Sequence, residues 1–98
     1  MRVISRKRLR EFADRFPDAG EPLDAWYRVV THSTYGTPAE LKAQFGNASF
    51  IGGTKTVFNV GGNKYRLVVD MKYTRGQIYI RHVLTHREYD QMTAEGTL

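Results

Sequence analysis

The 98-residue sequence contains no cysteine, so it can form no disulfide, no thiolate metal site and no cysteine nucleophile. It also lacks any apolar run near the roughly 18 to 20 residues that a membrane-spanning helix needs. The first residues, MRVISRKRLREF, carry charge where a signal peptide carries its apolar core. A chain this short can bury one hydrophobic core but not two. These absences predict a single domain, residues 1–98, in a soluble cytoplasmic protein with no membrane contact.

Acidic side chains are scarce in one long part of the chain. Residues 1–40 hold seven basic and six acidic side chains. Residues 41–87 hold eight basic side chains and one acidic one, and residues 88–98 hold no basic and three acidic side chains. The basic stretch also contains Tyr65, Tyr73 and Tyr79. Cations interleaved with aromatic rings are typical of surfaces that bind nucleic acid, although a solvated basic face has the same composition.

Residues 1–46 are predicted to be mainly helical, after a short edge strand at residues 1–4. Ser5 occupies the N-cap position of a first helix, which ends before Pro17. Pro22 suits the first position of a second helix, and a capping box from Thr37 to Glu40 predicts a third that ends at Gly46. The apolar residues at helical spacing in the first two helices are Leu9, Phe12, Ala13, Phe16, Leu23, Trp26, Tyr27 and Val30.

After a predicted loop at residues 47–53, the apolar period changes to two residues. Strands are expected at 56–60, 64–73 and 77–84, with tight turns at residues 61–63 and 75–76. A second capping box at residues 85–88 predicts a short last helix, 86–92. The sequence therefore predicts an α+β fold, in which N-terminal helices pack on one face of a C-terminal antiparallel sheet, residues 55–85.

The alternation of side chains also assigns the two faces of this sheet. On the last strand it places Ile78, Ile80, His82 and Leu84 together, on the face that the helices cover. The other face is expected to be uncovered and cationic, so that an anionic ligand would relieve the repulsion on it. Its polar members are Lys55, Asn59, Lys64, Arg66, Lys72, Tyr79 and Arg81.

No phosphate loop, dinucleotide fingerprint or nucleophile elbow is present. His82 and His86 are four residues apart, but they lie on either side of a predicted strand end rather than on one helix face, so no metal site or cofactor is expected. Cleavage of RNA without a metal needs a base for the 2′-hydroxyl, cations for the phosphate and an acid for the leaving oxygen. His86, at the first turn of the last helix near Arg66 and Arg81, is a candidate base. Tyr89, one turn further, could stack on a nucleobase or donate a proton. The alternatives are a junction residue bonded to backbone for His86 and a half-buried packing residue for Tyr89.

Two segments carry a family resemblance, VFNVGGNKYRLV at residues 57–68 and YIRHVLTHREYD at residues 79–90. With these motifs in order, nearly the whole chain resembles the HigB-type toxins of the RelE-like group. The Asn-x-x-x-Asn-x-x-Arg run of that family matches Asn59, Asn63 and Arg66. Its Thr-His-x-x-Tyr-Asp run matches Thr85, His86, Tyr89 and Asp90.

The resemblance implies the toxin of a type II toxin–antitoxin system, a helices-on-sheet mRNA interferase that inhibits translation. Such a toxin is a metal-independent endoribonuclease acting on messenger RNA at the ribosome, and a helix-turn-helix, HigA-like antitoxin neutralises it. RelE-like relatives rely on Lys, Arg and Tyr rather than on a histidine pair. The toxin alone is expected to be monomeric from its size.

The predicted catalytic residues are His86, Arg66, Arg81 and Tyr89. The predicted RNA-binding residues are Lys55, Asn59, Asn63, Lys64, Lys72 and Tyr79. Two alternative hypotheses assign other functions to the same surface. The protein could be a non-catalytic RNA- or ribosome-binding module, or a domain that docks an acidic protein partner.

Overall fold

A computed structural model describes residues 1–98 as helices packed against a five-stranded sheet. The strands are β1 (Arg2–Ile4), β2 (Ser49–Gly52), β3 (Lys55–Val60), β4 (Tyr65–Lys72) and β5 (Gln77–Thr85). The helices are α1 (Arg6–Arg15), α2 (Gly20–Thr31), α3 (Pro38–Gln44) and α4 (His86–Glu95). The strand order is β1-β5-β4-β3-β2, with β1 parallel to β5 and all other pairs antiparallel. The predicted α+β class is confirmed, and no helix has the length and apolar character to cross a membrane.

The sheet has one strand more than the sequence predicts. Residues 49–52 form β2, where a loop was expected, and all four are exposed. A half-buried strand can be recognised in a sequence by its alternating polarity, whereas a fully exposed edge strand of four residues shows no such alternation. The edge strand at residues 1–4, the three-stranded meander and its β3–β4 turn are confirmed; Gly61 and Gly62 in that turn have φ of 62° and 69°.

The starts of the first two helices depart from the sequence signals. Ser5 has the extended backbone of an N-cap, but its side chain makes no capping bond. A 3₁₀ turn at Pro17–Ala19 leads directly into α2, which therefore starts at Gly20, two residues before Pro22. The cap of α3 is confirmed, since the Thr37 side chain accepts from the Glu40 amide at 3.2 Å.

The second capping box forms completely and fixes the start of α4. The Glu88 amide donates to Thr85 Oγ1 at 3.1 Å, and the Thr85 amide donates to Glu88 Oε1 at 2.9 Å. Both orphan donors are thus satisfied by side chains. The helix starts at His86, as predicted, and continues to Glu95, three residues past the predicted end.

The first three helices cover one face of the sheet, as predicted. Phe58 is buried at the centre, with Trp26 and Phe45 packed edge-on at centroid distances of 5.5 and 5.0 Å. Phe12 on α1 packs in the same way against Tyr65, at 5.3 Å. Edge-to-face contacts add specific geometry to the burial of these rings. This core holds the sheet rigid beneath its second face.

The second face was expected to be uncovered, but it is open along only part of its length. Val57, Val68 and Leu84 form a small buried cluster on it, and Tyr89 and Met92 of α4 pack over that cluster. Burial of these apolar side chains explains why the C-terminal helix lies on the sheet. The predicted uncovered face is therefore divided, with α4 over one part and solvent over the other.

A β-bulge overturns the face assignment of β5. Val68 pairs with His82 and Val69 pairs with Ile80, so Arg81 is an extra residue without a partner on β4. The extra residue reverses the alternation beyond it. Ile78 and Ile80 face the helices as predicted, whereas Leu84 faces α4 and Val83 packs toward the main core. His82, opposite Val68, also lies on the α4 side.

Candidate active site

Seven of the ten predicted site residues lie in two clusters on the second face of the sheet, together with three residues that were not predicted. The hairpin-end cluster, where the β3–β4 turn meets α4, contains Asn63, Arg66, His86, Tyr89 and Asp90. The bulge cluster, at the irregular part of β5, contains Arg8, Lys72, Tyr79, Arg81 and His82.

The two clusters are well separated along β4. Arg81 is bound to Asp70, which lies four residues beyond Arg66 on the same strand. Four strand residues span about 13 Å. The guanidinium groups of Arg66 and Arg81 are thus anchored at different points along the strand, and their joint action at the cleaved bond stays a prediction.

Arg66 is held inside the hairpin-end cluster rather than exposed. Only 8% of the residue is accessible, and its Nη1 donates to the carbonyls of Asn63 and Tyr65, both at 3.2 Å. The Tyr89 ring lies over the guanidinium, with 5.7 Å between Cζ and the ring centroid. The expectation of an exposed Arg66 is wrong because α4 covers it. Its charge is fixed in place beneath the N-terminal part of that helix.

His86 combines a fixed backbone with an accessible ring. Its amide donates to the Lys64 carbonyl at 3.0 Å, which ties the start of α4 to the β3–β4 turn. The side chain is half exposed, and Nδ1 lies 3.0 Å from Oδ2 of Asp90. A carboxylate on Nδ1 favours the tautomer whose Nε2 can accept a proton. The hydrogen bond at the strand–helix junction is therefore made by the backbone of His86, and the imidazole remains available to act as a base.

Asp90 matches the Thr-His-x-x-Tyr-Asp run of the family but was not among the predicted site residues. The signal was present in the sequence, because Asp90 follows His86 by four residues on a predicted helix, and such residues are neighbours on a helix surface. Tyr89 is half-buried, packing on the small apolar cluster while its ring faces Arg66. Tyr89 therefore has the half-buried packing role considered as an alternative, and its ring also contacts the Arg66 guanidinium.

The bulge cluster is organised by two anchored guanidinium groups. Arg81 Nη1 donates to Asp70 Oδ2 at 2.8 Å. Arg8 of α1 donates from its Nη1 to the Arg81 carbonyl at 2.6 Å. Together with Lys72, these residues line a groove of about 490 Å³, in which Tyr79 is half-buried. Arg8 was not predicted, since nothing in the sequence indicates that α1 passes the edge of β5 beyond β1.

His82 lies in the same groove and was also missed, because the alternation placed it on the other face. Partial burial lowers the pKa of its imidazole, and the nearby charges of Arg81, Arg8 and Lys55 lower it further. An imidazole in this state is neutral at physiological pH. The lowered pKa of His82 reflects the positive charges concentrated at the groove.

Two of the remaining predicted RNA-binding side chains, Lys64 and Lys55, have intramolecular partners. Lys64 pairs with Asp18 at 2.8 Å, and this contact, with a further hydrogen bond from Tyr65, lowers the pKa of Asp18. Lys55 Nζ donates to the Leu98 carbonyl oxygen at 2.6 Å, and Asn59 lies opposite Arg66 on β3. No group of three His, Asp or Glu side chains is placed to hold a metal ion.

Comparison with known proteins identifies the family. A model described as HigB_toxin, the RelE-like toxic component of a toxin–antitoxin system, matches residues 19–92. The chain belongs to the HigB toxin family. Both motifs, at residues 57–68 and 79–90, lie within the match, so the resemblance predicted from them is confirmed. This HigB-family chain is the toxin component of a toxin–antitoxin system and has an antitoxin as its partner.

Individual members of the HigB family are similar over almost their whole length. The mRNA interferase toxin HigB of Escherichia coli strain K12 is 35% identical over 97 residues, which cover 96% of this chain and 92% of that protein. The mRNA interferase HigB of Shigella flexneri gives the same values. The mRNA interferase HigB of Escherichia coli O6:H1, strain CFT073, is 30% identical over 95 residues, which cover 95% and 92%.

Proposed function

We propose that this HigB-family toxin cleaves messenger RNA on translating ribosomes in the cytoplasm, without a metal ion, and so inhibits translation. The names of its relatives, mRNA interferases, support the substrate. The observation that carries the proposal is the hairpin-end cluster, in which an accessible His86, oriented by Asp90, lies at the start of a helix beside the fixed charge of Arg66.

In the proposed reaction, His86 removes the proton from a 2′-hydroxyl of the message. The resulting oxygen attacks the adjacent phosphorus, the bond from phosphorus to the 5′-oxygen breaks, and that oxygen takes up a proton from solvent. The products are a 2′,3′-cyclic phosphate and a free 5′-hydroxyl. Arg66 and the positive end of the α4 helix dipole stabilise the negative charge that grows on the phosphate. Tyr89 supports Arg66 and stacks on a base beside the cleaved bond.

The remaining side chains bind the message around this centre. Arg81 contacts RNA away from the cleaved bond, because about 13 Å separates its Asp70 partner from Arg66. The proposed RNA contacts are those predicted from the sequence: Lys55, Asn59, Asn63, Lys64, Lys72 and Tyr79. Lys64 and Lys55 exchange their present partners for phosphate when RNA binds.

We further propose that residues 1–98 act as a single RelE-like toxin domain, monomeric when free. A helix-turn-helix, HigA-like antitoxin neutralises it. These finer assignments follow the family, whose members are toxins paired with antitoxins.

Growth inhibition by matched histidine variants tests the catalytic assignment. Induced expression of the wild-type chain should arrest growth, and His86→Ala should abolish the arrest. His32→Ala is the control, because His32 is exposed at the end of α2, away from both clusters. Circular dichroism of the purified variants verifies that both fold. Full toxicity of a folded His86→Ala protein would contradict the assignment, and RNA binding without cleavage by the wild type would favour the non-catalytic module.

A further inference from the structure

The bulge cluster concentrates positive charge that the proposed cleavage chemistry does not use. Two grooves meet at Arg8, Arg81 and His82, one lined also by Lys72 and the other by Arg15. The carboxylates along them are Asp70, which Arg81 already occupies, and Glu11. Lys55 adds its charge from β3, which lies on the other side of β4. The balance is cationic, and this region is not covered by α4.

The two guanidinium groups are positioned before any ligand binds. Arg81 is fixed by the Asp70 carboxylate, and Arg8 is fixed by the Arg81 carbonyl of the bulge. Each of these contacts uses the Nη1 of its arginine, and a guanidinium carries five N–H donors. The free donors of two held arginines suit the oxygens of one phosphate, because guanidinium groups bind phosphate with several directed hydrogen bonds.

We propose that the bulge cluster is a second phosphate site, which binds the same RNA strand a few nucleotides from the cleaved bond. Asp70, which holds Arg81, lies about 13 Å from Arg66 along β4. A stacked strand rises about 3.4 Å per nucleotide and spans this distance in about four nucleotides, and an extended strand does so in fewer. Arg8 and Arg81 hold the phosphate, Lys72 adds charge, and Tyr79 packs against the adjoining sugar or base.

The site sets a minimum length of message for tight binding. A fragment that covers only the hairpin-end cluster leaves Arg8 and Arg81 unpaired, and a longer one engages both centres through one chain. The second contact then forms at high effective concentration, since the first already holds the strand. The proposal rests on the proposed function for the identity of the ligand, RNA, while its residues and geometry are independent of the cleavage step.

The test measures binding of RNA oligonucleotides of two lengths, a dinucleotide and a hexanucleotide, by fluorescence anisotropy. The wild-type chain should bind the hexanucleotide more tightly than the dinucleotide. Arg8→Gln should weaken hexanucleotide binding about fivefold to tenfold and leave dinucleotide binding unchanged. The slope of log Kd against log salt for the hexanucleotide should decrease by about 0.7, the value for one lost phosphate contact on a single strand.

Two further variants separate phosphate binding from a structural role of Arg8. Lys72→Gln removes a groove cation without touching the bond between Arg8 and the Arg81 carbonyl, and should give the same length-dependent loss. Arg10→Gln, on α1 but lining a different surface depression, should change neither affinity. Equal affinities of wild type and Arg8→Gln for the hexanucleotide, or equal losses for both lengths, would overturn the second site.

The outcomes also distinguish this site from the proposed function. Cleavage of ribosome-bound message without length-dependent binding would overturn the second site and leave the function intact. Length-dependent binding that Arg8→Gln abolishes, in a protein that cleaves no message, would overturn the cleavage and leave the site intact. Absence of binding at both lengths would overturn the site.

Discussion

Replacing Arg66 with alanine should destabilise the protein, in addition to any effect on catalysis. The substitution leaves the carbonyls of Asn63 and Tyr65 without their donor and removes the cation beneath the Tyr89 ring. At 3.2 Å these bonds are long, so each contributes about 1 kcal/mol. The cation–π contact adds up to about 1 kcal/mol. The free energy of unfolding should therefore fall by about 2–3 kcal/mol.

Urea unfolding and thermal melts of three proteins measure this loss. For a chain of this size, 1 kcal/mol corresponds to about 4–8 °C in the melting temperature, so Arg66→Ala should melt at least about 8 °C below the wild type. Arg87→Ala is the matched control, since Arg87 is exposed on α4, and it should stay within about 0.5 kcal/mol of the wild type. An equally small effect of Arg66→Ala would refute the role of Arg66 as a structural link between sheet and α4.

Three further predictions concern the cap of α4, the groove and the core. Thr85→Ala should cost about 1 kcal/mol of stability and reduce cleavage because His86 loses its fixed position, whereas Thr37→Ala should cost about as much and leave cleavage unchanged. Arg8→Gln should raise the pKa of His82 in an NMR titration; an unchanged pKa would show that Arg8 does not act on the groove. Phe58→Ala should lower the free energy of unfolding by about 3–5 kcal/mol, measured in urea.

The lowered pKa of His82 also gives stability a pH dependence of known sign. The folded protein binds a proton at His82 less readily than the unfolded chain, whose histidine pKa is about 6.5. The unfolded state therefore holds more protons just below that pH, and the free energy of unfolding falls as the solution is acidified through about pH 6.5. His82→Gln should flatten this part of the profile. An unchanged slope in the variant would assign the dependence to other groups.

Local signals in the sequence determine most of the elements. The capping box at residues 85–88 predicts the first residue of α4, and the glycines of the β3–β4 turn predict its positive φ angles, because both depend on neighbouring residues only. The helical spacing of Phe12 and Trp26 likewise identifies the side chains that reach the core. These predictions succeed since the deciding contacts lie within a few residues along the chain.

The errors arise where distant segments meet. The bulge at Arg81 depends on the pairing of β5 with β4, so the alternation of β5 alone assigns His82 and Leu84 to the wrong face. The burial of Arg66 depends on α4 folding back over the sheet. The place of Arg8 depends on how α1 crosses the edge of β5. The sequence therefore identifies the site's motif residues, whereas their division into two clusters follows only from tertiary structure.

The most direct test of the proposed function adds the purified toxin to a translation reaction and maps the 5′ ends of the message. The wild-type chain should generate new 5′-hydroxyl ends within codons that ribosomes occupy. His86→Ala should generate none. Intact message with the wild type, or equal cleavage by the wild type and a folded His86→Ala protein, would contradict the account.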